Sequence, residues 1–262
     1  MSTPLLSIIT VCYNAKNDVE KTIKNILQQN WKELEYLVID GGSQDGTSHL
    51  LKEAHTLFSQ SKIMFRYISE PDKGIYDAMN KGASLAKGRW LLFLNAGDIL
   101  ADNHVLEHVF SQSPSAQIFY GDTLCTYQGN TRLYSALPLK HLKHEMAFCH
   151  QSAFIEKDLL MEQPYDISYK VCADHHFFLS MYLQQKTFEY YPIPIAIYEI
   201  AGFSDKHKMT AHKEQHRMQK ELDVFHLSFS WLLKEILFYM KQSVKHLFGQ
   251  KLIDIIRKKR LR

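Results

Sequence analysis

No two of the four cysteines, Cys12, Cys125, Cys149 and Cys172, form a CxxC pair, so neither a zinc knuckle nor a redox motif is indicated. Reduced thiols in a cytosolic protein are expected, with Cys12 a small buried thiol inside an apolar strand. No apolar stretch reaches the length of about 18 residues that a spanning helix needs. Ser228 to Met240 comes nearest, and Lys234 and Glu235 interrupt it. The start, Met1 to Leu5, has no basic n-region, so a signal peptide is not expected. Charge of one sign is also scarce. A net charge of +3 over 262 residues does not argue for nucleic acid. No G-x-G-x-x-G follows the first strand, which argues against a dehydrogenase. His212 and His216 share a helix face, but the Glu of the metalloprotease motif is missing after His212. A solvated face is the simpler explanation of that pair.

What is present is alternation. Leu5 to Val11 is a continuous apolar run suited to a central strand covered on both faces. Asn17 or Asp18 can cap the next helix, where Val19, Ile23, Ile26 and Leu27 repeat at helical spacing. Leu34 to Ile39 predicts a second strand ending in the turn-rich Asp40 to Thr47. Ser48 to Leu57 predicts a helix and Ile63 to Ile68 a third strand. Ile75 to Ala86 predicts another helix closed by Gly88, and Arg89 to Leu94 a fourth strand. Strands and helices in turn argue for an α/β fold with a doubly wound, mostly parallel central sheet flanked by helices. Beyond Asp98 the pattern loosens. Gln117 to Tyr120 and Thr123 to Tyr127 look like strands around a turn at Gly121-Asp122. Cys172 to Gln184 looks helical, Phe188 to Ile200 extended, and the chain from Ala211 helical. No internal repeat or low-complexity linker is visible. The expected division is a globular unit over residues 1–205 and an amphipathic helical extension over residues 206–262.

Asp40 and Asp98 both stand where a predicted strand gives way to a loop. In a parallel sheet both face the edge where such folds bind ligands. One carboxylate suits a hydrogen bond to a base or ribose. Another suits a divalent cation, because Mg²⁺ typically takes one or two carboxylates plus substrate oxygens. The plain alternative is that each merely caps a helix or turn.

Four segments in order carry a resemblance: Ile9 to Asn14, Val38 to Thr47, Asp72 to Gly82, and Leu94-Asn95-Ala96-Gly97-Asp98. Together they resemble the nucleotide-binding half of a family 2 glycosyltransferase, of the kind that builds bacterial exopolysaccharide, capsule and O-antigen. The match covers residues 1–100 well and residues 101–205, the acceptor half, loosely. The resemblance implies a GT-A fold and inverting transfer from a nucleotide sugar, usually a UDP-sugar, to a glycan or lipid-linked acceptor. It implies that Val11 and Tyr13 lie against the base and that Asp40 hydrogen-bonds it. Asp72, Asn80 and Asn95 would line the nucleotide pocket, and Asp98 would bind Mn²⁺ or Mg²⁺. Asn95 to Asp98 departs from the family's Asp-x-Asp pattern by keeping one carboxylate. Such a site should bind the cation weakly or need the donor's diphosphate to complete it.

Inverting transfer needs a base beside the acceptor hydroxyl. Asp174, at the start of a predicted helix, matches the family's catalytic position; the plain alternative is a helix cap. His150 and Gln151 fall where the subgroup has a polar pair near the acceptor. Gly202 and Ser204 resemble a closing loop. The C-terminal segment joins the stripe Leu233, Ile236, Leu237, Met240, Val244 and Leu247 to Lys241, Lys245, Lys251 and a terminal basic cluster. That combination suits an anionic membrane surface, hence a cytoplasmic enzyme peripheral at the inner face of the cell membrane. The alternative is a stripe packed on its own domain. Two other functions compete. A nucleotidyltransferase would want a basic Gly-rich loop after the first strand, where Tyr13-Asn14-Ala15-Lys16 stands. A non-catalytic scaffold that keeps the donor pocket would explain the single carboxylate.

Overall fold

The computed structural model describes residues 4–127, 129–199, 207–225 and the single positions 236, 237 and 240. The first half alternates as the sequence predicts: β1 (Leu6–Cys12), α1 (Lys16–Leu27), β2 (Leu34–Asp40), α2 (Thr47–Ser59), β3 (Met64–Ser69), α3 (Ile75–Leu85) and β4 (Trp90–Phe93). Then come β5 (Ile99–Leu100), α4 (Val105–Ser111), β6 (Ile118–Tyr127), β7 (Asn130–Tyr134), β8 (Ala153–Glu156), α5 (Lys157–Glu162), α6 (Ala173–Leu183), β9 (Phe188–Glu199) and α7 (Lys208–Glu221).

Among the described residues nine strands join one sheet in the order β3-β2-β1-β4-β8-β6-β9-β5, with β7 paired to the stretch of β6 beyond β8. Strands β3, β2, β1 and β4 are parallel, and so is the β6–β9 pair. Strands β5, β7 and β8 run antiparallel to their neighbours. The chain winds outward from β1 to β3, then returns to lay β4 on the other side of β1. That reversal is a topological switch point, where open α/β sheets form a crevice beyond the strands' carboxyl ends.

Both faces of the sheet are covered, which is why β1 and β2 are apolar almost throughout. Leu6, Ile8, Tyr36 and Val38 face α1, α2 and α4, with Val19, Ile23, Leu51, Phe58 and Leu106 opposite. Ile9, Val11, Leu37 and Ile39 face α3 and α6, against Tyr76, Met79, Phe177 and Phe178. Burying a side chain of this size contributes roughly 1.5–3 kcal/mol.

Three local expectations are corrected. Neither Asn17 nor Asp18 caps α1. The cap comes from another loop, where Asp45 Oδ2 accepts from Lys16 N at 3.0 Å while its Oδ1 accepts from Thr47 N at 3.0 Å. Gly88 does not terminate α3. It lies against β1 so closely that a Cβ there would fall 2.4 Å from Ser7 N. Gly121-Asp122 is not a turn between strands. Strand β6 runs through it, and its pairing with β9 slips there. The bulge buries Asp122, whose Oδ1 accepts from Ala136 N at 2.9 Å and Tyr190 Oη at 2.7 Å.

Helix α7 lies beyond the predicted division at residue 205, yet it is bound to the body. Met218 is fully buried, and Gln219 Nε2 donates to Lys143 O at 2.9 Å. Tyr169 Oη donates to Glu221 Oε2 at 2.5 Å, and the Arg217 guanidinium stacks 4.4 Å over the Tyr169 ring. Among the described residues no helix is long and apolar enough to cross a membrane.

Candidate active site

A cleft of two lobes opens at the switch point. Val11, Cys12, Tyr13, Ile75, Tyr76 and Lys170 line both lobes. The first, of about 550 Å³, continues over Asp72 to Ala78, Ile167 and Tyr169. The second, of about 420 Å³, is closed by Asp18, Asn95 to Asp98, His150, Gln151, Asp174, Tyr198 and Glu199.

The first lobe has a largely apolar lining. Tyr13 is 65% exposed at the end of β1 and leaves its ring free for stacking. Asp72 Oδ1 accepts from Gly74 N at 2.8 Å, which shapes the turn into α3. Its other oxygen lies over Gly41, where a Cβ would come within 2.6 Å of Asp72 Oδ2. Any larger residue at Gly41 would displace that carboxylate.

Asp40 is fully buried and lines neither lobe. Its register partners on β1 and β3 are Cys12 and Ser69. Ser69 Oγ donates to it at 2.5 Å, Ser43 N at 3.2 Å, and Ser43 Oγ bonds it as well. Asp40 therefore holds the loop that carries Gly41 under the lobe. Cys12 Sγ sits 3.7 Å from Asp40, and burial followed by that carboxylate keeps its thiol strongly protonated. Asn80 is also spent elsewhere. Its Nδ2 donates to Tyr165 O at 2.8 Å, and its Oδ1 accepts from Tyr165 N at 2.9 Å, which clamps α3 to the segment before α6.

The second lobe holds the ionisable groups. Asp98 is 7% exposed and receives a side-chain hydrogen bond from Gln151 Nε2 at 3.2 Å. Burial pushes its pKa up to about 6, although His150, Gln151 and Lys21 pull the other way. Its loop is fixed by Thr22, whose Oγ1 donates to Asp98 O at 2.9 Å and lies 3.0 Å from Gly97 N.

Opposite stands a hydrogen-bonded chain. Tyr76 Oη lies 2.6 Å from Val171 O and 3.0 Å from Asp174 Oδ1. Asp174 Oδ2 pairs with His150 Nδ1 at 2.9 Å, and His150 Nε2 lies 3.2 Å from Asn95 Nδ2. Burial works against charge on both members of the pair, but each holds the other ionised. Asp174 lies below its ordinary range, and His150 above its own. Asn95 Oδ1 is buried with no hydrogen-bond partner among the described residues.

Asp174 is held from outside its helix. Glu214 of α7 is buried and accepts from Lys170 N at 2.7 Å, Val171 N at 2.9 Å and Cys172 N at 3.0 Å. It supplies the acceptors that the backbone donors ahead of α6 need.

The family model for glycosyl transferase family 2 matches residues 7–170, more than half of the sequence. The chain belongs to that family. It is 32% identical over 181 residues to a PGL/p-HBAD biosynthesis glycosyltransferase of Mycobacterium bovis, across 68% of this chain and 69% of the relative. Two solved structures share its fold. S. aureus TarS 1-349 with UDP-GlcNAc aligns with a TM-score of 0.60 at 14% identity, over 76% of this chain and 59% of that one. The mannosyltransferase PcManGT of Pyrobaculum calidifontis with GDP-Man and Mn²⁺ aligns with a TM-score of 0.62 at 15% identity, over 98% and 80%. The GT-A architecture expected from the sequence is therefore present.

In this family 2 glycosyltransferase, Val11, Tyr13, Asp72, Asn95, Asp98, His150, Gln151 and Asp174 line the cleft. Asp40 and Asn80 do not, and Gly202 and Ser204 lie outside the described residues. Sequence reasoning missed Tyr76, Lys170 and Glu214. Tyr76 was inside a quoted segment, at a helical position that passes for core. Lys170 stands four residues before Asp174. Nothing local marks Glu214, whose partners are distant backbone amides.

Proposed function

We propose that this chain transfers a hexosyl or N-acetylhexosaminyl group from a UDP-sugar, with inversion, to a glycan or lipid-linked saccharide during cell-surface polysaccharide assembly. The observation that carries the proposal is the order of groups along one cleft. An apolar lobe under Tyr13 leads to a buried carboxylate at Asp98, which faces the Asp174–His150 pair. That is the order in which base, diphosphate and reacting sugar follow one another in a nucleotide sugar. The complexes of TarS with UDP-GlcNAc and of PcManGT with GDP-Man support a nucleotide-sugar donor.

The nucleobase stacks on Tyr13 between Val11 and Asp72. Lys170, on the wall shared by both lobes, meets the diphosphate. A divalent cation fits the second lobe through oxygen donors only. Among the described residues Asp98 is a buried carboxylate with no cationic partner in hydrogen-bond contact and Asn95 Oδ1 is unsatisfied, and Asp18 lines the same wall. Among the described residues no group of three His, Cys, Asp or Glu side chains holds a metal by itself. This matches a cation that takes one or two carboxylates plus phosphate oxygens. When bound, it neutralises the leaving diphosphate. The proton of the attacking hydroxyl leaves through the Asp174–His150 pair.

Thermal denaturation with UDP- and GDP-sugars, with and without Mn²⁺, tests the donor. A ligand at a hundred times its dissociation constant stabilises by roughly 2.7 kcal/mol. Stabilisation and nucleotide release by one donor class are expected. Binding without any turnover would favour the scaffold alternative, and no binding would defeat the proposal.

The enzyme also docks on an anionic membrane surface. Ile236, Leu237 and Met240, at helical spacing, are exposed, and a basic segment follows them. Each Lys or Arg near such a surface contributes about 1 kcal/mol before screening. Truncation after His226 should abolish salt-sensitive pelleting with phosphatidylserine vesicles and leave UDP binding intact. Unchanged pelleting would refute the docking.

A further inference from the structure

Helix α7 carries two histidines one turn apart. His212 and His216 stand at i and i+4, so their side chains share one face. The sequence suggested a solvated face. Both residues are instead half-buried, and their rings turn toward each other. The ring centroids are 4.5 Å apart, the planes meet at 84°, and Nε2 of His216 lies 3.2 Å from Nε2 of His212. Spacing alone does not produce this arrangement. His104 and His108 are also four residues apart, but their rings lie 6.2 Å apart at 26°, and His104 Nδ1 is 3.1 Å from Glu107 Oε2.

A separation of 3.2 Å is the outer limit of an N–H hydrogen bond. It is also an ordinary bite for a metal ion. At a Zn–N length of about 2.0–2.1 Å, nitrogens 3.2 Å apart subtend about 100–106° at the metal, close to the tetrahedral angle. A hydrogen bond uses one hydrogen between the two rings. A metal takes the lone pairs of both Nε2 atoms, and each ring keeps its hydrogen on Nδ1.

From this geometry we infer that His212 and His216 chelate a divalent transition-metal ion, Zn²⁺ by chemical class, through their two Nε2 atoms. Imidazole nitrogens suit Zn²⁺, Ni²⁺ and Cu²⁺, whereas Mg²⁺ and Mn²⁺ prefer oxygen. The site therefore differs in chemistry and in place from the oxygen-lined cleft. Among the described residues no cluster of three His, Cys, Asp or Glu forms here. Water or a small ligand completes the coordination, as in zinc sites that keep an open position. The location gives the ion a structural consequence. Glu214 stands between the two ligands in sequence and holds the backbone of Lys170, Val171 and Cys172. An ion on His212 and His216 clasps the turn of α7 that carries this carboxylate.

The test uses the full chain without a histidine tag, stripped with EDTA and dialysed. ZnCl₂ and NiCl₂ are titrated by calorimetry in millimolar Mg²⁺, which occupies sites built of oxygen. One site for each ion is expected. His212→Gln and His216→Gln should each weaken Zn²⁺ binding by at least the roughly tenfold that loss of an outer-shell partner costs a metal site. His108→Gln, in the pair whose rings do not converge, should bind Zn²⁺ as wild type does. Zn²⁺ should raise the thermal midpoint of the wild type and leave those of His212→Gln and His216→Gln unmoved. One equivalent of Cu²⁺ should give an electron paramagnetic resonance spectrum split by two ring nitrogens. That spectrum needs only the wild-type chain, so it decides the matter if both variants fail to fold. The inference is overturned if the wild type binds neither Zn²⁺ nor Ni²⁺ in Mg²⁺, if both variants bind Zn²⁺ like the wild type, or if Cu²⁺ shows no pair of nitrogens. The contact is then a hydrogen bond between two rings. None of these results bears on the proposed sugar transfer, whose donor test is separate.

Discussion

Replacing Asp98 by Asn should make the ligand-free protein more stable and the enzyme inactive. The carboxylate is 7% exposed and has one side-chain hydrogen bond, from Gln151. Burial lifts its pKa from 3.8 to about 6. At 1.36 kcal/mol per pKa unit, that displacement corresponds to about 3 kcal/mol of stability lost by carrying the charge in the folded state. Between pH 3.8 and about 6 the folded protein binds more protons here than the unfolded chain. The loss therefore grows as pH rises through that window, is complete above it, and is absent below it. The amide keeps an oxygen for Gln151 and carries no charge. We expect Asp98→Asn to raise stability by about 1–3 kcal/mol at pH 8 in EDTA, or roughly 4–8 °C in Tm at the middle of that range. At pH 4.5 the gain should shrink to about a third. Calorimetry at the two pH values, with Mn²⁺ and UDP-sugar added in a second series, reads both halves. Donor with cation should stabilise the wild type far more than the variant. A variant no more stable than wild type at pH 8, or a gain equal at both pH values, would refute the reasoning. Sites that bind charge commonly trade stability for function in this way.

Three other expectations follow from particular contacts. Asp40→Asn should cost about 1–3 kcal/mol in chemical denaturation, because Ser43 and Ser69 lose a charged acceptor; unchanged stability would free Asp40 for the ligand. Glu214→Gln should lower kcat and weaken donor binding by calorimetry, since one amide oxygen cannot accept from Lys170, Val171 and Cys172 together; unchanged kcat and donor affinity would contradict this. Gly88→Ala should destabilise by about 1–3 kcal/mol or more, because the added carbon meets the backbone of Leu6 and Ser7; a neutral result would show that β1 can give way.

The parallel half of the sheet was legible because strands buried on both faces read as uninterrupted apolar runs. The cleft was legible because Asn95 to Asp98 and Asp72 to Tyr76 stand directly after strands that end at one edge. What the sequence concealed were pairings between distant segments. Asp40 looked like a ligand group, but Cys12 and Ser69 stand beside it in register, a fact of strand alignment. Asn80 is polar on a helix for the sake of the Tyr165 backbone. Gly88 follows a helix and mimics a stop signal, although its absent side chain serves β1. Gly121-Asp122 mimics a turn because a bulge uses the same residue types. The Asp174–His150 pair joins the first turn of α6 to a short 3₁₀ turn at His150–Ser152, and no periodicity links them.

Glu214 gives the enzyme a timetable. The three backbone amides it holds precede it by 42 to 44 residues, and α6 begins directly after the last of them. A ribosome making this chain completes the donor lobe's strands early, because β1 to β4 close among themselves. The segment before Asp174 acquires its partner only after α7 has left the exit tunnel. At about 5–20 residues per second that interval lasts seconds. Until then Lys170, which lines the cleft, and the segment that leads to Asp174 lack the acceptor that fixes them. Any cut that removes α7 returns the molecule to that earlier stage.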